Sequence, residues 1–276
     1  MKRLISFLAM AVLSFCCLAQ TFTVGDLSYR VIDQEKHVSV RASSLEISGE
    51  LIIPTIVKYK GQYYVIAEIE DLGFANCKQI QKLTLPKAVK RIGNKAFAMC
   101  SGIVDLELPH SVTSIGEEAF YGCESLSTIK LSNSLKQIGR RAFWDCVSLS
   151  FIEIPDSVES IGKEAFNNCI ALSSVKLGRS IKVLERACFA NCKALHSIEV
   201  PISVTEIEPQ AFWNCNALAC ANIPVSVTKI GDSAFGRCFK LNTVEILNPS
   251  VELGVKVFEN CPNLKFYIKG KKQIRL

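Results

Sequence analysis

Nine cysteines, Cys77, Cys100, Cys123, Cys146, Cys169, Cys192, Cys215, Cys238 and Cys261, fall every 23 residues without a slip. They hold the most versatile chemistry in the chain: a thiolate is a zinc ligand, and two thiols in an oxidising compartment can join as a disulfide. The spacing opposes both. Zinc sites are assembled from close pairs such as C-x-x-C, which one thiol per 23 residues never forms, and the only histidines are His37, His110 and His196. Stacking one repeat on the next brings neighbouring cysteines within the Cα range of a disulfide, but with both side chains pointing the same way into the core. The expectation is a ladder of reduced thiols acting as small buried apolar groups with a weak donor. Cys188, standing where other repeats have alanine, joins that core, whereas Cys220 falls on the outward side of a strand and is expected to be an exposed thiol. With no nucleophile–histidine–acid constellation, phosphate loop or metal cluster, the sequence predicts no enzyme, no catalytic or metal-binding residues and no cofactor.

What holds these thiols in register is a repeated set of apolar positions. A phenylalanine stands three residues before each cysteine: Phe74, Phe97, Phe120, Phe143, Phe166, Phe189, Phe212, Phe235 and Phe258. These rings are read as core, each contributing roughly 1.5–3 kcal/mol when buried. After each cysteine come apolar residues at +3, +6 and +8, as with Leu149, Ile152 and Ile154 after Cys146. The +6/+8 pair has a period of two and predicts a short strand with one face inward. Proline often ends it (Pro86, Pro109, Pro155, Pro201, Pro224), where its missing N–H does least harm to a ladder. A second apolar pair such as Val112 and Ile115 follows, then usually glycine. The segment EEAFYGC, or its equivalent, is expected to return the chain as a short helical or 3-10 turn. Stacked turns set the strands parallel, about 4.8 Å apart, so the intervals from Cys77 to Cys261 make a rod core of roughly 40 Å.

A fixed period of this length with an L-x-x-L-x-L run marks a leucine-rich solenoid, whose single core grows by one rung per repeat. The expected fold class is therefore an α/β-type leucine-rich repeat solenoid of short parallel strands. The stretch LPHSVTSIGEEAFYGCESLSTIKL, with cysteine closing the AFxxC run and SVxxIG before it, closely resembles the BspA-like leucine-rich repeat proteins over about residues 51–268. That resemblance implies an exported or surface protein. Some members are implicated in adhesion to host extracellular-matrix proteins and to other cells, and the family has no catalytic motif to carry over.

Five segments are expected. Residues 1–19 read as a secretory signal: Lys2 and Arg3 precede an apolar run from Leu4 to Leu18, and Cys17 and Ala19 place small residues for cleavage. The run is short of the ~20 residues that span a bilayer, and no second one follows, so no membrane span is expected in the mature chain. Residues 20–50 form an N-terminal β cap. Residues 51–76 are an atypical first repeat with a hairpin inserted around Gly61. Residues 77–261 are the regular repeats, and 262–276 are a C-terminal cap and basic tail. The net charge of +6 falls to +4 without Lys2 and Arg3, and Lys265, Lys269, Lys271, Lys272 and Arg275 account for all of that excess. No basic stripe runs along the repeats, so nucleic acid is not an expected partner.

The expected partner is a protein or glycoprotein, met outside the cytoplasm by a secreted, periplasmic or surface-associated chain. On the strands, Glu107, Lys130, Glu153, Lys176 and Glu199 alternate in sign at successive rungs, and Glu117 and Glu118 are followed one turn later by Arg140 and Arg141. Such ladders neutralise themselves and keep an open sheet soluble. The candidate partner-binding residues are aromatics that the core does not need. Tyr121, Trp144 and Trp213 follow a core phenylalanine in a slot that other repeats fill with alanine, asparagine, glycine or glutamate, which places the slot at solvent. Phe151, on a strand face, is a weaker candidate. The alternative is a structural or self-assembling envelope scaffold without a dedicated ligand, and the sequence leaves oligomeric state open.

Overall fold

The computed structural model describes residues 20–268, which form 23 strands and no helix among the described residues. The signal segment, and the basic residues from Lys269 onward, lie outside the described residues. The chain opens with β1 (Thr21–Val24), β2 (Leu27–Val31) and β3 (His37–Ala42), an antiparallel meander. Next comes β4 (Gly49–Ile52), which pairs in parallel with Ile80–Thr84 and so starts the front ladder of the rod. The hairpin inserted around Gly61 is an antiparallel ribbon of β5 (Ile56–Tyr59) and β6 (Gln62–Ile69), closed at Lys60-Gly61. β6 pairs on one side with β3 and on the other with Arg91–Ile92, which joins the meander to the rungs.

Each later rung repeats one circuit: a front strand, a turn, a two-residue back strand and a return segment. Front strands Asp105–Glu107 and Thr128–Lys130 pair in parallel with a 23-residue offset, and back strands such as Ser114–Ile115 and Gln137–Ile138 do the same. The last front strand keeps the ladder but slips by one residue: Thr243 pairs with Lys265 and Val244 with Phe266, an offset of 22.

The expected helical or 3-10 return segment is absent, and the rung from Gly162 to Cys169 gives the physical reason. Alternate amides look back three residues: Ala165 N–H donates to Gly162 O, Asn167 to Glu164 O and Cys169 to Phe166 O, at 3.1–3.4 Å. The amides between them donate forward to the next rung, from Glu164, Phe166 and Asn168 to the carbonyls of Arg186, Cys188 and Ala190, at 2.8–3.0 Å. A helix would need all of them to look back. Glu164 and Asn168 both have φ near +61°, and left-handed residues recur at the same two positions in rung after rung (Lys95 and Met99, Arg141 and Asp145). Such residues interrupt a right-handed helix every fourth residue, so the segment is a series of stacked tight turns. Asn168 Nδ2 reaches Asp145 Oδ1 at 2.6 Å and Asn214 Nδ2 reaches Asn191 Oδ1 at 2.8 Å, a side-chain ladder along one of these columns.

Inside the rod the nine phenylalanines form a continuous stack, with ring centroids 5.1–5.7 Å apart and planes within 20°. The cysteines stand beside them as free thiols. The carbonyls of Phe74, Phe97, Phe120, Phe143, Phe166 and Phe212 each accept two bonds, for example the N–H of Cys169 and the thiol of Cys192 at Phe166 O. Thiol-to-carbonyl distances run from 3.0 to 3.3 Å between Cys100 and Cys261. The thiol thus fills a second lone pair that would otherwise be buried without a partner. Burial pushes the thiols of Cys123, Cys146 and Cys192 far up, which keeps them protonated donors and poor nucleophiles. Native alkylation should therefore modify the exposed Cys220 first and the half-buried Cys261 more slowly. The other described cysteines should react only on unfolding, and peptide mass spectrometry against time reads the order. Rapid labelling of Cys146 in folded protein would contradict the ladder.

Rung spacing is set on the back side by a glycine column: Gly93, Gly116, Gly139 and Gly162, then Gly231 and Gly254. In the gap stand Glu185 and Glu208. The glycine amides donate to the preceding rung, as Gly162 N–H does to Ile138 O at 2.9 Å. Strand pairing stops where Glu185 enters, between Ser160–Ile161 and Val183–Leu184. The column is tight at its glycines, where a Cβ built on Gly162 would lie 2.5 Å from the backbone nitrogen of Arg140, yet at Glu208, which also carries a Cβ, Val183–Leu184 and Glu206–Ile207 stay paired. The Glu185 carboxyl is pushed above the usual range, first by burial and then by the neighbouring Glu208 charge. A carboxyl raised in the folded state stabilises below its unfolded value, and that contribution is lost as pH rises through the folded value. Glu185→Gln should therefore raise the melting temperature at about pH 7, with the gain vanishing near pH 4.

Candidate partner-binding face

The tight-turn segment presents a face of its own, and its outermost column follows the core phenylalanines. Small residues in that slot are covered: Ala98, Asn167 and Ala190 are buried. The slot is thus not a solvent position in itself, contrary to the sequence expectation. Each rung's turn shields its neighbour's, as where Asn191 Nδ2 donates to Asn167 Oδ1 at 2.9 Å. Larger side chains emerge in the mid-rod rungs, where Tyr121, Trp144 and Trp213 are half-buried.

The structure brings two of the four aromatic candidates together. Tyr121 and Trp144, on successive rungs, meet edge to face with centroids 6.4 Å apart at 71°, the geometry that the ring quadrupoles favour. Arg141 lays its guanidinium over the Trp144 ring, 4.5 Å from the centroid. Arg141 is held there by Glu164 through Nε, with Glu118 3.9 Å from Nη1. On the Tyr121 side, Met99 lies against Gly122, where a Cβ would sit 2.5 Å from Met99 Sδ. Gly122 has φ +67°, and here the absent side chain makes room for the thioether. The outcome is a patch of Met99, Tyr121 and Trp144 with Arg141 at its border. Trp213 repeats the motif three rungs away, with Arg237 5.5 Å over its ring. Phe151 stands apart on the front ladder, 47% exposed and paired in register with Ser174. Sequence reading missed Met99 and Arg237, and took Arg141 only as a member of a charge ladder. The signal available was an arginine at the left-handed position three residues before Trp144, which puts cation and ring on one turn.

Two pairs of the front ladder are closed electrostatically. Lys130 meets Glu107 at 2.6 Å and Lys176 meets Glu153 at 2.5 Å. Near the patch, Arg140 pairs with Glu117 and Lys95 with Glu118 at 3.3 Å.

The profile of the BspA-type leucine-rich repeat region matches in six copies, over residues 67–154 and 136–265. The chain belongs to the BspA-type leucine-rich repeat family. A leucine-rich repeat protein from Bacteroides ovatus is similar in fold, with a TM-score of 0.77 and 29% identity over 90% of this chain and 70% of that one. The pneumococcal vaccine antigen PcpA shares the fold at a TM-score of 0.58 and 18% identity, covering 91% of this chain and 82% of its own. No curated protein matches the sequence. As a BspA-type solenoid the protein is an interaction scaffold, and among its described residues no helix is long and apolar enough to cross a membrane.

Proposed function

We propose that this BspA-type protein is an exported or cell-surface adhesin that binds a protein or glycoprotein partner on its turn face. Tyr121 and Trp144 form the anchor and Trp213 is a second contact along the same column. The observation that carries the reading is the Tyr121–Trp144 pair with Arg141 over it. Tryptophan, tyrosine and arginine are the side chains that dominate interface energetics, and here the two rings stand where the flanking rungs keep Ala98 and Asn167. Export rests on the signal-like segment at residues 1–19 and on the family, and the extracellular-matrix class of partner on the family alone. Because the rod is stiff and its columns repeat at each rung, a partner spanning three rungs could touch Trp144 and Trp213 together, about 14 Å apart.

The test is binding of the purified protein to a panel of extracellular-matrix glycoproteins at low and high salt. Trp144→Ala should weaken binding about thirty-fold, the effect of a hot spot of ~2 kcal/mol, with Phe151→Ala nearly neutral. Binding should persist at high salt, because an aromatic contact is not screened. Binding lost with salt and unchanged in Trp144→Ala would sink the turn-face site.

A further inference from the structure

Away from the turn face, two side chains of the loop between β2 and β3 converge with the first residue of β3. Asp33, Glu35 and His37 each offer one ligand atom, and these atoms all lie within 4.8 Å of one another. His37 Nδ1 is 2.6 Å from Asp33 Oδ2 and 3.9 Å from Glu35 Oε2. Asp33 is fixed by its other oxygen, since Oδ1 accepts the backbone N–H groups of Glu35 and His37 at 2.9 and 3.0 Å. That leaves Oδ2 aimed at the imidazole. The ring itself is mostly covered, with a quarter of its side-chain surface exposed.

A second observation concerns the cation that should neutralise these acids. Lys36 lies between Glu35 and His37 in sequence, yet it takes a left-handed φ of 64° and sends its ammonium 2.5 Å to Gln62 Oε1 on the hairpin. Among the described residues, no lysine or arginine nitrogen comes within ion-pair distance of Asp33 or Glu35, and only His37 does. The loop therefore gathers two carboxylates and an imidazole while turning its own lysine outward.

We propose that Asp33, Glu35 and His37 form a binding site for a divalent transition-metal ion, with Zn²⁺ the best match. One nitrogen and two oxygen donors suit zinc, and the two carboxylates balance its charge. Ligands about 2.1 Å from a tetrahedral zinc stand ~3.4 Å apart, and the two printed separations here bracket that value, so small rotations complete the set. Mg²⁺ and Ca²⁺ prefer all-oxygen shells and fit less well. With three protein ligands, a position remains for water or for a carboxylate or imidazole of a partner. The ion would tie the loop to β3, whose pairing with β6 joins the cap to the first rung.

Zinc titration of the purified Cys220→Ser protein tests this, the substitution removing an exposed thiol that would compete. Calorimetry should show one saturable site, and imidazole NMR should show His37 alone shifting, with the exposed His110 and His196 as internal references. MgCl₂ should do nothing. His37→Ala should abolish uptake and Asp33→Asn weaken it about tenfold or more, with melting in the absence of zinc confirming that both variants fold. No saturable uptake up to about 1 mM zinc would overturn the proposal. So would uptake that survives both substitutions, or equal shifts at all three histidines.

Discussion

Phe166→Ala is expected to cost about 3–5 kcal/mol, the range for emptying a fully buried aromatic site. The ring is completely buried and lies mid-stack, 5.1 Å from Phe143 and 5.3 Å from Phe189, with planes within 5° of both. Its removal takes away apolar burial and two stacking contacts at once. The backbone around it has little freedom to collapse into the void, because Phe166 N–H is bonded to Cys188 O and Phe166 O holds both Cys169 N–H and the Cys192 thiol. A solenoid adds a further consequence. Each rung is stabilised by its neighbours, so a break in the middle uncouples the two halves, and the thermal melt of Phe166→Ala should split into two transitions. Phe258→Ala should cost less, since that ring is slightly exposed and more loosely stacked, 5.7 Å from Phe235 at 20°. Urea and thermal melts followed by circular dichroism measure both. A loss below about 1 kcal/mol for Phe166→Ala would mean that the stack is not what holds the rungs together.

Much of this architecture was legible because the 23-residue period turns one good reading into nine. Once Ile152 and Ile154 are taken as the inward face of a strand, the period places every other rung, and the buried columns follow it. The return segment was misread for a definite reason. Left-handed backbone is signalled in sequence by glycine or asparagine, but here one of the two left-handed columns is filled by Glu118, Arg141 and Glu164. Their backbone is imposed by hydrogen bonds to the next rung, a tertiary cause with no local signature. The slot after each phenylalanine was hard to place for a similar reason, because Asn167 is covered by a rung 24 residues on. The metal-ligand loop was invisible in composition: Asp33, Glu35 and His37 look like ordinary loop residues until the turn folds them onto one another and Lys36 away. By contrast, the Tyr121–Trp144 contact follows from the period alone, since one rung separates them.

Gly139→Ala is the second substitution expected to be severe, at about 3 kcal/mol or more, above the usual cost of overpacking. The added Cβ would lie 2.5 Å from the carbonyl carbon and 2.6 Å from the oxygen of Gly116, and 2.7 Å from the nitrogen of Glu117. All three are backbone atoms, so no side chain can swing aside, and relief requires the rungs to part. The native chain shows what parting does. At Glu185, one of the two column positions that carry a side chain, the back-strand ladder ends, whereas at the other, Glu208, Val183–Leu184 and Glu206–Ile207 remain paired. Gly139→Ala should open a similar gap between Ser114–Ile115 and Gln137–Ile138, which are paired in the native rod. Hydrogen exchange should then quicken at the amides of Lys136 and Gly139, which bond Thr113 O and Ile115 O. Glu185→Ala, placed in the same column where a Cβ is already accommodated, should be close to neutral by comparison. Equal losses for Gly139→Ala and Glu185→Ala would show that backbone contact in the glycine column does not set the rung spacing. A large loss only at Gly139, with exchange quickened there and nowhere else along the back ladder, would show that it does.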